Sequence, residues 1–157
     1  MNTCSFEQGT IEDVSIQMLE DLAHADWGAT LLDARTPRKS WSKLLGDVFP
    51  SNANVKVAEV AVCGSQQRVH RGDVIYFATA TGRACGEVLM HLDLKGRACT
   101  IVSAWNASAP GDCGHLSYFD IPSTSRVLVV HTCDVATALT YSRTRSGVVV
   151  INPPAQR

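Results

Sequence analysis

The sequence predicts a mainly β protein, an antiparallel barrel or sandwich. From residue 55 onward, short apolar runs recur at close intervals, and glycine- or proline-centred turn signals separate them. The composition is globular, with 45% apolar and 18% charged residues. A chain of 157 residues holds one sizeable core and leaves little room for a second domain. One unit spanning 1–157 is expected, with no internal repeat or low-complexity tract to divide it.

The strands are read in order. Val55–Cys63 (VKVAEVAVC) alternates apolar residues at 55 and 57 and then, shifted by one, at 60 and 62. Val74–Ala80, Gly86–Leu92, Thr100–Trp105, Leu116–Ile121, Val127–Val130 and Gly147–Ile151 follow. Cys63-Gly-Ser, Arg71-Gly-Asp, Thr81-Gly-Arg, Lys95-Gly-Arg, Ala109-Pro-Gly and Ile121-Pro-Ser punctuate them, each carrying the residues that tight turns require. The N-terminal part supports two readings. Ile11, Val14, Met18 and Leu22 fit a helical stripe with Thr10 and Asp13 as a capping box, whereas Val14, Ile16 and Met18 fit a strand. Thr36-Pro37 before WSKLL and Gly46 reads as a short capped helix.

Net charge is −1 with no block of like charge, which removes the electrostatic footprint of a dedicated nucleic-acid surface. No apolar run is long enough to span a bilayer, and the N-terminus lacks the basic start and apolar stretch of a signal peptide. A cytoplasmic location is therefore expected. None of the six cysteines forms a Cys-x-x-Cys pair, so spacing and compartment favour thiols over a disulfide framework.

Pro110-Gly-Asp-Cys-Gly114 points most directly at chemistry. The glycines permit close backbone approach and positive φ. The amides of Asp112 and Cys113 are candidates for an oxyanion hole, and the Cys113 thiol is a candidate nucleophile that needs a base. The competing reading is a polar turn carrying an incidental cysteine. Cys113-Gly-His115 and His131-Thr-Cys133 have the spacing of paired zinc ligands, but ordinary strand residues account for them more simply. His70 lies in a polar turn, His91 reads as a satisfied strand histidine, and the stretch from Ala138 to Arg143 reads as a surface turn. His24, in Leu22-Ala-His-Ala-Asp-Trp27, is remote in sequence from Cys113, but a Cys–His pair need only be adjacent in space.

Taken together, these pieces resemble the small chymotrypsin-like cysteine proteases of enteroviruses and rhinoviruses, the 2A type of the picornaviruses. Pro110-Gly-Asp-Cys-Gly114 is similar to that family's nucleophile motif, and His24-Ala-Asp-Trp27 to a His-Asn-Asp-Trp step near its catalytic histidine. The run from Cys63 to Phe77 resembles its Cys-Ser-x-Arg-x-x-His-Tyr-Pro segment, and Arg97 to Gly114 the strand and loop that deliver its nucleophile. The order and spacing agree across nearly the whole chain.

The resemblance implies a short N-terminal sheet (about 1–52) packed on a C-terminal six-stranded antiparallel barrel (about 53–157), with the active site between them. It implies Cys113 as nucleophile, His24 as general base, and the amides of Asp112 and Cys113 as oxyanion hole. Asp47, at a strand entry after Gly46, is the preferred third member, and Asp33 the alternative. Arg126–His131 is expected to form a strand beside the scissile peptide, with Val129, Val130 and His131 lining the substrate site. The family's four zinc positions correspond to Val55, Val57, Phe119 and Ile121, four apolar residues that imply a hydrophobic plug and no metal. No cofactor is expected. The implied function is a viral-type cysteine endopeptidase that cuts a polyprotein, with host proteins as further substrates.

Aligned without a gap through the Asp-Trp step, however, the catalytic histidine falls at Glu20 or Asp21, and His24 reaches it only by a shift of a few residues. Without that shift the thiol has no base. The alternative is then a catalytically degenerate protease-like barrel that binds protein or RNA.

Overall fold

The computed structural model describes residues 4–15, 17–18, 54–63, 67–79, 82–94, 96–122, 126–145 and 147–153. The fold is mainly β, as expected, but its strands form three antiparallel sheets, with no closed barrel among the described residues. Over Ile11–Ser15 the N-terminal helical reading gives way to a strand, whereas Gln17 and Met18 have helical backbone, so the strand does not extend to Met18. β1 (Ser5–Phe6) leads through a 3₁₀ turn at Gln8–Thr10 into β2 (Ile11–Ser15). Thr10, offered as a helix cap, closes that 3₁₀ turn instead, its hydroxyl donating to the Glu7 carbonyl at 2.8 Å.

The apolar phase slip between Val57 and Val60 has a structural cause. The run breaks at Glu59 into β3 (Asn54–Ala58) and β4 (Val60–Val62), which belong to different sheets. β4 lies between β1 and β5 (Arg68–His70) in a three-stranded sheet. β3 lies between β2 and β7 (Gly82–Leu94) in a seven-stranded one. That larger sheet continues through β8 (Arg97–Ala104) to β11 (Arg126–His131). Branching from β7, it also holds β6 (Val74–Thr79) and β12 (Val135–Ala138). A bulge at Leu89, where the register to β8 shifts between Val88 and Met90, helps bend the long β7.

The third sheet runs β13-β14-β10-β9, where β9 is Asn106–Cys113, β10 Leu116–Asp120, β13 Thr140–Arg143 and β14 Gly147–Ile151. β6 packs on both faces, since successive side chains on a strand alternate. Ile75 and Phe77 join Cys63, Val69, Val88, Val102 and Val135 in one cluster. Val74 and Tyr76 join Cys85, Trp105, Val148 and Val150 in another. This explains why Val74–Phe77 reads as an unbroken apolar run instead of an alternating one.

Three segments that read as turns hold strands, namely β5, β9 and β13, and β12 is a strand that the sequence does not mark. The helix expected at Thr36-Pro37 lies outside the described residues.

Candidate functional site

Cys113 ends β9 and is exposed. A two-residue connection, Gly114-His115, turns the chain directly into β10, with Cys113 opposite Leu116 and Asp112 opposite Ser117. Gly114 supplies the positive φ (64°) that such a tight hairpin demands. Pro110 and Gly111 fall where the two strands lose register. β9 runs from Asp112 back to Ala107 while β10 advances only from Ser117 to Phe119. A proline is tolerated at such a widening because it has no N–H for the ladder.

The backbone at Asp112–Cys113 is thus extended and paired. Consecutive amides of an extended strand face opposite edges, so those of Asp112 and Cys113 diverge here instead of converging on one point. The hairpin is anchored from the C-terminal side. The Asn152 amide donates to the His115 carbonyl (2.7 Å), and the Asn152 side chain donates through Nδ2 to Ser117 Oγ (2.9 Å) while accepting from the Tyr76 hydroxyl. The Arg83 guanidinium stacks 3.8 Å over the Tyr76 ring.

The other candidates are distributed as follows. His24, Asp33 and Asp47 lie outside the described residues. Arg126–His131 forms β11, as expected, and occupies an edge of the seven-stranded sheet. Val129 and Val130 are half-buried there, and His131, opposite Cys99, is exposed. Among the described residues no three His, Cys, Asp or Glu side chains come together to hold a metal, so Cys113, His115, His131 and Cys133 do not form a ligand group. The hydrophobic plug is not assembled either. Val55 and Val57 are buried on β3, Phe119 packs against the Tyr76 cluster, and Ile121 is 38% exposed.

One polar constellation is buried instead. His91 has no exposed surface, with Nε2 3.0 Å from the Val69 carbonyl and Nδ1 2.8 Å from Thr100 Oγ1. A carbonyl only accepts, so Nε2 carries the proton and Nδ1 accepts from Thr100. Thr100 in turn accepts from the Thr132 hydroxyl at 2.9 Å. Burial lowers the His91 pKa to about 4, against smaller opposing effects of the Val69 hydrogen bond and Asp73. The satisfied strand histidine expected at this position is what the structure holds.

The thiols divide sharply. Cys63 and Cys85 are buried, and desolvation pushes their pKa values up to about 11 and about 12, respectively. Cys113 and Cys133 are exposed. Sequence reasoning had no signal for the grouping of Cys4, Cys63 and Cys133, in which the Cys4 and Cys133 thiols both act electrostatically on Cys63. Among the described residues no helix is long and apolar enough to cross a membrane. No family model, curated protein or solved structure matches the chain.

Proposed function

We propose that this chain is a protease-like β domain that acts by binding an extended polypeptide and no longer catalyses its cleavage. The reading rests on the resemblance to the small picornaviral cysteine proteases and on one observation. The backbone at the would-be nucleophile is a paired strand closing a two-residue hairpin, with the Asp112 and Cys113 amides on opposite edges. A developing oxyanion needs donors aimed together at one point. β11, at a sheet edge and ending in the exposed His131, is the strand we assign to the peptide, which would add alongside it through main-chain hydrogen bonds. A viral polypeptide in the host cytoplasm is the partner the resemblance supplies.

Cysteine endopeptidase activity is the second reading, favoured by the exposure of the Cys113 thiol where Cys63, Cys85 and Cys99 are buried. In that reading His24 is the base, Asp47 or Asp33 orients it, and the Asp112–Cys113 backbone rearranges on substrate binding. A race between two thiols of the same molecule decides. Under limiting iodoacetamide, Cys113 and the exposed Cys133 alkylate at rates within a few-fold of one another if the domain only binds. Alkylation of Cys113 far ahead of Cys133, with that lead abolished by His24→Ala, overturns the binding reading and establishes the dyad.

A further inference from the structure

β1 and β4 run antiparallel, with Ser5 opposite Val62 and Phe6 opposite Ala61. One step along that register places Cys4 opposite Cys63. The type of that pair follows from two independent hydrogen bonds. The Glu7 amide donates to the Val60 carbonyl (3.0 Å), so Glu7 and Val60 are a hydrogen-bonded pair. Alternation along the ladder then makes Phe6–Ala61 and Cys4–Cys63 non-hydrogen-bonded pairs. From the other side, the Cys63 amide donates to the Gln67 carbonyl (3.0 Å), so its polar groups are turned away from β1.

In a non-hydrogen-bonded antiparallel pair the Cα atoms are about 4.5 Å apart and both side chains project from the same face. That separation lies within the range a disulfide spans. The face in question is the inner one. Ala61 and Cys63 are buried on it, Cys4 and Phe6 are half-buried, and the Phe6 ring lies 6.1 Å from the His91 ring. The Cys4 and Cys133 thiols both raise the Cys63 pKa, and the strand register is what singles out Cys4 as its partner.

We propose that Cys4 and Cys63 constitute a cross-strand disulfide site, open in the dithiol state and closed by a low-molecular-weight disulfide. The Cys4 thiolate attacks one sulfur of that disulfide, breaking its S–S bond, and one small thiol leaves with a proton. Cys63 Sγ then gives its proton to solvent and attacks Cys4 Sγ, forming the Cys4–Cys63 bond and expelling the second small thiol. Two protein thiols are oxidised by two electrons, and one disulfide is reduced to two thiols. The second step is the slow one, because burial, with the Cys4 and Cys133 thiols nearby, holds the Cys63 pKa near 11. Closure fixes β1 against β4 and ties the chain's start to the wall that covers His91.

Peptide mapping of the whole chain after incubation with oxidised glutathione, followed by iodoacetamide quenching and proteolysis, tests the site. The expected result is one cross-linked peptide pair joining Cys4 to Cys63, lighter by two hydrogens than the separate peptides. It accumulates faster as the pH is raised, survives Cys133→Ser and is lost in Cys4→Ser. Full alkylation of Cys4 and Cys63 after oxidation, with glutathione confined to Cys113 and Cys133, overturns the proposal. So does a bridge joining Cys63 to Cys133, whose neighbour Thr132 lies with its carbonyl 3.8 Å from the Cys63 sulfur. The wild-type map alone discriminates these outcomes, so the result stands even if a variant folds poorly.

Discussion

The His91 imidazole accepts a hydrogen bond from the Thr100 hydroxyl at 2.8 Å, with neither side chain exposed to solvent. The Val69 carbonyl, which can only accept, fixes the direction of every proton in the chain from Thr132 through Thr100 and His91. Protonating Nδ1 would set a donor against the Thr100 proton and bury a charge.

The consequence is a pH dependence with a definite sign. The folded-state pKa of about 4 lies below the ordinary histidine value of 6.5, so the unfolded chain binds the extra proton first. The contribution is complete above about pH 6.5 and is lost as the pH falls toward 4, and it amounts to roughly 3 kcal/mol. Urea unfolding of the wild type should weaken across that window. His91→Phe should lower stability at pH 7 by about 2–4 kcal/mol, because the Val69 carbonyl and the Thr100 hydroxyl proton both lose their imidazole partner while Thr100 keeps only its bond to Thr132. The difference between the two proteins should shrink as the pH falls. A constant difference would mean that groups other than His91 carry the acid sensitivity.

Asn152 joins the C-terminal segment to the Cys113 hairpin through Ser117 and the His115 carbonyl, and to the core through Tyr76. Tyr76→Phe removes one of these bonds while keeping the ring under Arg83, and should cost about 1 kcal/mol. Asn152→Ala leaves the buried Ser117 and the Tyr76 hydroxyl without this partner and should cost about 1–3 kcal/mol. Chemical denaturation gives the order. Limited proteolysis should show earlier cleavage near the hairpin in Asn152→Ala only.

Strand content was legible where burial writes a pattern. The runs at Val74, Thr100 and Gly147 fall where apolar faces meet the two clusters, and the slip at Ala58-Glu59 was visible before its cause was. β13 is exposed along its whole length, so no alternation marks it. β9 carries Pro110-Gly111, which reads as a turn because turn composition and a widened ladder demand the same residues. The pairing of Cys4 with Cys63 depends on the register of two strands far apart in sequence, which composition does not encode. Strand spacing leaves barrel and sandwich equally open, only the resemblance selects a six-stranded barrel, and the described strands do not close.

Two glycines separate conformational from steric need. Gly114 has φ 64° and open space where a Cβ would stand, so Gly114→Ala carries only the left-handed backbone cost, about 1 kcal/mol. Gly114→Asn should recover most of it. A Cβ at Gly147 would collide with the Phe119 carbonyl across the β10–β14 pair. Gly147→Ala should therefore cost about 1–3 kcal/mol, and Asn should give no relief. Equal midpoints for the two alanine variants in thermal melts would contradict this distinction.

Closing Cys4–Cys63 should stabilise the fold chiefly by restricting the unfolded chain. The bridge would enclose a loop of about 60 residues, for which loop-closure entropy gives about 4 kcal/mol before any strain. The bridged protein should unfold at higher urea with a smaller slope against denaturant, because a cross-linked unfolded chain exposes less surface. Adding a dithiol should return both values to those of the open form. If the midpoint falls on bridging, the β1–β4 pair is distorted by the bond, and the site is strained and easily reduced. If the midpoint rises while the slope is unchanged, the gain lies in the folded state, most directly in tighter packing of Phe6 against His91.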